Sequence, residues 1–123
     1  MRVFSLVAGA AAIGVAGFRY VRSLDGIRNM SAELGNPEGA LAAIVWHSLT
    51  YVMAVLGVAL LLSVRASRET ALSVGLLATA IFGGIAAIMA TYSAAALGDP
   101  FAFYPVFLLA GLAALSGVAA AKA

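Results

Sequence analysis

Residues 40–64 read ALAAIVWHSLTYVMAVLGVALLLSV, and the reading of this stretch decides the fold. It contains no charged residue. A helix needs about 20 apolar residues to cross a hydrocarbon core of about 30 Å, and this run is long enough. It also holds the chain's only Trp and only His, adjacent at Trp46 and His47, with Thr50 and Tyr51 one turn further on. On a helix, Ala43, His47, Thr50 and Ala54 share one face. Trp46 points elsewhere and suits the aromatic belt of a membrane interface.

Three further apolar runs, 3–21, 71–96 and 105–121, surround it. The chain has 123 residues, of which 64% are hydrophobic and 10% charged. An ordinary soluble domain carries about 25% charged residues, and a chain this small cannot hide so much apolar surface from water. The reading is one transmembrane domain over residues 1–123. Net charge is +2, and the basic residues are scattered, which argues against nucleic-acid binding. Cysteine is absent, which removes disulfides, thiolate catalysis and Cys-based metal sites.

Arg2, then an apolar stretch containing Ala10-Ala11-Ala12, also describes a signal peptide, but the run is longer than a usual signal core and is read as a retained helix. Ser5, Gly9, Ala12 and Ala16 lie along one side of it, a spacing that lets helices approach closely in lipid. Arg19 and Tyr20 are expected to snorkel toward headgroups. Beyond them, Leu24, Ile27, Met30 and Leu34 have helical periodicity with a polar opposite face. That predicts a short interfacial helix between the first two spans, with a solvated loop as the plain alternative. Gly35-Asn36-Pro37 breaks it, and Pro37 and Glu38 suit the first turn of the next helix.

Arg65, Arg68 and Glu69 make a tight charged turn that sets the third helix antiparallel beside the second. Ala80, Gly83, Gly84 and Ala87 on the third helix, and Ala110, Ala114, Gly117 and Ala121 on the fourth, are small-residue faces suited to close packing. Gly98-Asp99-Pro100 ends the third helix. Arg2, Arg65, Arg68 and Lys122 fall on one side of the membrane and Arg19, Arg22 and Arg28 on the other. The excess places both termini in the cytoplasm.

His47 is the strongest functional candidate, since an ionisable residue within a span is a functional hypothesis by default. Neutral imidazole can ligate metal or haem, or hydrogen-bond a ligand. It can equally serve as interhelical glue with Thr50 or Tyr92. A ligand pocket would be walled by His47, Thr50, Tyr51, Tyr92 and Tyr104, with Arg19, Trp46, Arg65 and Arg68 as interface anchors. No cofactor is predicted. A six-coordinate haem would need a second ligand, from Met53, Met89 or another subunit, and no ligands are spaced for zinc. Asp25, Glu33, Glu38, Glu69 and Asp99 all read as loop or interface residues, so ion-coupled transport lacks its usual intramembrane carboxylate.

At Trp46-His47 the chain resembles a loosely defined group of small bacterial four-helix membrane proteins. In these a glycine-containing first helix is followed by a polar connector, and Trp-His opens the second helix with a threonine nearby. Gly14, Gly17, Trp46, His47 and Thr50 are the matching positions. The group often has Gly-His near the end of the first helix, where this chain has Gly17-Phe18-Arg19-Tyr20. The overall plan is also similar to DoxX-like four-helix proteins. The resemblance implies a bacterial inner-membrane protein and supplies no activity.

The expected architecture is an antiparallel bundle of four transmembrane helices. The leading function is a non-catalytic accessory or scaffolding subunit, in a larger membrane complex or a homo-oligomer. A lipid-, quinone- or cofactor-binding protein comes second and a small transporter third.

Overall fold

The polar segment after the first apolar run does not form an element of its own. In the computed structural model, which describes residues 2–101 and 105–123, one helix α1 runs without a break over Val3–Leu34. This corrects the expected short interfacial helix between the first two spans. Nothing in residues 22–34 stops a helix. Gly26 alone costs only about 1 kcal/mol relative to Ala. The Ser23 hydroxyl donates back to the Arg19 carbonyl one turn earlier, a bond the helix accommodates. The helix ends at Gly35, whose φ of 71° a side chain would resist. Its 32 residues make a rod about 48 Å long, well beyond the thickness of a hydrocarbon core.

Three more helices follow among the described residues: α2 (Glu38–Leu62), α3 (Arg68–Leu97) and α4 (Pro105–Ala121). Glu38 lies in the first turn of α2, where its carboxylate meets the positive end of the helix dipole. A single 3-10 turn, Ser63–Arg65, finishes α2. The Ser67 hydroxyl then caps α3 by accepting from the Thr70 backbone N–H at 3.2 Å. Gly98 closes α3 in the left-handed conformation, φ 73°. Asp99 organises the following turn, its Oδ1 accepting from the Phe101 N–H at 2.9 Å. No strand occurs among the described residues. Three helical segments, Val3–Leu34, Glu38–Arg65 and Arg68–Leu97, are long and apolar enough to cross a membrane, and α4 is a shorter apolar helix of 17 residues.

The packing order differs from the chain order. α1 lies along α2 and also against α4, and α4 lies along α3, while α2 and α3 touch only slightly. A tight turn fixes the direction and the starting point of the next helix, but not how much of its length packs. Close packing goes where backbones can approach. Gly9 and Gly57 face each other in α1 and α2, and a Cβ built on Gly9 would lie 2.8 Å from the Gly57 carbonyl oxygen. Gly75 of α3 meets Ala120 of α4 in the same way, also at 2.8 Å. Both pairs run antiparallel, since higher numbers in one helix meet lower numbers in the other.

The core combines the small stripe of α1 (Ala8, Ala12, Ala16) with bulkier Met53, Leu60, Phe82 and Leu109 from the other helices. On α3 the buried side is Gly75, Ala78, Phe82 and Ala86, and on α4 it is Leu109, Leu112 and Ser116. Ala80, Gly84 and Ala87 of α3 and Ala110, Ala114 and Ala121 of α4 are exposed instead, which corrects the expected packing faces. The smooth stripe of α1 requires volume opposite it, and leucines supply that where alanines would leave voids.

At the opposite end of the α1–α2 pair from the 35–37 turn, the Arg2 guanidinium reaches across to the end of α2. Its Nη1 donates to the Ala66 carbonyl at 2.6 Å and lies 3.4 Å from the carbonyl oxygens of Ser63 and Val64. Those carbonyls lie at the C-terminal end of α2, the negative end of its dipole, and a cation suits them.

Candidate functional site

The small-residue stripe of α1 continues past Ala16 to Arg19, three residues on. That register carries the arginine into the seam with α2, where it is 1% exposed. Its Nε donates to Thr50 Oγ1 at 3.1 Å, and the guanidinium carbon sits 3.8 Å from the centre of the Trp46 ring. Thr50 Oγ1 in turn donates to the Trp46 carbonyl at 3.2 Å. The Trp46 indole N–H donates to Ser23 Oγ at 2.9 Å, and Ser23 donates to the Arg19 carbonyl. Four residues, two from each helix, thus form a closed circuit of hydrogen bonds with a cation stacked on an aromatic face. Arg19 and Trp46 were expected as interface anchors. The structure turns Arg19 inward and aims the indole N–H at Ser23. A cation in an apolar setting is held by directed partners, and the seam offers Thr50 Oγ1 and the Trp46 ring among them.

His47 lies beside this circuit but faces outward. It is half-buried, its ring 5.9 Å from that of Tyr20 and tilted by 57°. It makes no hydrogen bond among the described residues. Three shallow pockets meet at it. One, of about 290 Å³, is lined by Leu24, Ile27, Arg28 and Ser31 of α1 with Ala43 and His47 of α2. A second, of about 330 Å³, lies deeper along the seam between Tyr20 and Thr50, Tyr51 and Ala54. A third, of about 500 Å³, runs over the outer side of α2 past Ile44, Ser48 and Val52. Together they make a groove open along its length, polar at the Arg28 end and apolar at the Ala54 end.

Of the residues expected to wall a ligand pocket, His47, Thr50 and Tyr51 come together. The Thr50 hydroxyl is committed to the seam, so its contribution to the groove is its methyl and its position. Tyr92 is 73% exposed on α3 and lines none of the three pockets. Tyr104 lies outside the described residues. Arg65 and Arg68 are exposed at the α2–α3 turn. Met53, a candidate second haem ligand, is in the core, on a different side of α2 from His47. No cluster of three or more potential metal ligands occurs among the described residues.

Sequence reasoning missed Ser23, and it read Tyr20 and Arg28 as interface residues, Arg28 pairing with lipid phosphate or Glu33, without grouping either with His47. Tyr20 and Arg28 stand two turns apart on α1, a spacing that becomes informative only once the helix is known to run straight through Arg22. Comparison with known protein families, curated proteins and solved structures finds no match to this chain.

Proposed function

We propose that this chain is a four-span integral membrane protein of the bacterial inner membrane that works by binding, as a small accessory or scaffolding subunit. The observation that carries the reading is the outward display of large apolar side chains. At most 33% of the apolar stretch of any of the three long helices is buried within the bundle. Val21, Val45 and Leu62, at 72%, 68% and 75% exposed, have no place in water at this density. Lipid or another membrane subunit is the solvent such a surface requires. The resemblance to small bacterial four-helix proteins at Trp46-His47 points the same way, and the charge balance favours both termini in the cytoplasm. Native mass spectrometry from mild detergent tests it: a stable complex with another polypeptide is expected, and a folded monomer eluting alone counts against the subunit role.

A second reading, a protein that binds a lipid, quinone or other amphiphile, is favoured by one specific feature. Among the described residues His47 makes no hydrogen bond, and it stands where three pockets converge, beside two tyrosines. Interhelical glue would have been bonded across the seam, as Trp46 and Thr50 are.

A further inference from the structure

The groove at His47 is graded along its length. Because α1 and α2 run antiparallel, lower numbers in α1 and higher numbers in α2 lie deeper from the 35–37 turn. Arg28 and Ser31 stand at the shallow end, and Tyr20 lies about 12 Å deeper, at 1.5 Å per residue. Its partners at that depth are Tyr51 and Ala54.

Two of the three polar side chains at the shallow end, Arg28 and His47, can donate a hydrogen bond. Arg28 is exposed, lines the pocket and has no ion pair or hydrogen bond among the described residues. The His47 imidazole makes no hydrogen bond among the described residues, and the Ser31 hydroxyl already donates to the Gly39 carbonyl at 2.8 Å. Among the described residues, no Asp or Glu lines any of the three pockets. A permanent positive charge, with an imidazole that can donate lining the same pocket and no carboxylate among the described lining residues, selects an anion. The remaining walls, Leu24, Ile27, Ala43 and Ala54, are apolar, and the groove opens sideways along the helices. A free anion in water gains nothing from such walls, whereas one carrying a hydrocarbon chain fills them.

We propose that this groove binds an anionic phospholipid, with the phosphate on Arg28 and His47 and an acyl chain lying between Tyr20 and Tyr51 toward Ala54. The inference deepens the amphiphile-binding reading and rests on it. Arg28 supplies the charge, His47 a directed hydrogen bond at the headgroup–chain boundary, and the tyrosines rigid amphipathic walls.

The test is retention of added phosphatidylglycerol, phosphatidylcholine or ubiquinone by the full chain in mild detergent, read by native mass spectrometry. Phosphatidylglycerol is expected to survive in preference to phosphatidylcholine. Arg28→Gln is expected to lower its retention about fivefold, with Arg68→Gln, at the far end of the bundle, leaving it unchanged. His47→Phe keeps the wall, removes the donor and lowers retention as well. Unchanged melting of each variant by circular dichroism shows that folding is not the cause. Equal retention of both phospholipids, insensitive to Arg28→Gln, overturns the anionic headgroup and leaves the amphiphile reading standing. So does displacement of phosphatidylglycerol by ubiquinone. Equal losses from Arg28→Gln and Arg68→Gln reduce the effect to general surface charge and overturn the site. Retention of none of the three overturns both the site and the amphiphile reading.

Discussion

The guanidinium of Arg19 stacks on the indole of Trp46 at 3.8 Å, joining α1 to α2 through a buried cation and an aromatic face. A desolvated pair of this kind is worth about 2 kcal/mol. The two partners are not equivalent, however. Replacing Trp46 by Leu leaves a buried charge without its ring, whereas replacing Arg19 by Met removes the charge itself. Trp46→Leu is therefore expected to lower the melting temperature in detergent more than Arg19→Met. The double variant should be less destabilised than the sum of the two, with a coupling of about 1–2 kcal/mol. Arg19→Lys should not restore wild-type stability, because an ammonium lacks the planar face that stacks on the ring.

The glycines of α1 divide sharply. Gly9 faces the Gly57 backbone, while Gly14 has nothing within 4 Å of a built Cβ. Gly9→Leu is expected to force the helices apart and cost at least about 3 kcal/mol, the upper end for overpacking. Gly14→Ala should be neutral or stabilising by up to about 1 kcal/mol. Chemical denaturation of the two variants side by side checks both.

Arg2 holds the carbonyls at the end of α2. Arg2→Ala should destabilise by about 1 kcal/mol. Its local signature is faster hydrogen exchange at the backbone amides of residues 64–68, with exchange around Thr50 unchanged.

The continuity of α1 makes a separate claim about residues 22–28. Their amides should exchange as slowly as helical amides flanking them, with no fast segment after Arg22. Gly26→Pro should break this protection and weaken the Trp46–Ser23 bond next to it, while Gly26→Ala should strengthen it by about 0.5–1 kcal/mol.

Much of this arrangement is readable in the sequence. Runs of apolar residues give the helices, and Gly35, Pro37, Gly98 and Pro100 give their ends. The stripe Ser5, Gly9, Ala12, Ala16 gives the packing face of α1. One more step of the same spacing reaches Arg19, but its charge argues for the surface, and only Trp46 and Thr50 on the opposing helix show why it goes inward. The rotation of α3 and α4 is not readable, because helices apolar all round carry no periodic sign of which side faces the core. Tyr92 illustrates the result: placed by its chemistry beside His47, it is carried by the rotation of α3 to the outside. His47 itself is identifiable as the singular polar group of its span. Its direction depends on Tyr20 and Arg28, which share its groove only because α1 does not bend at Arg22.

The unbroken α1 has a mechanical consequence. No hinge separates its tip at residues 28–34 from the guanidinium clamped in the seam at residue 19, so the two ends turn as one mast. A torque applied at that tip by whatever grips it is carried to the Arg19–Trp46 joint, about two and a half to four helical turns below.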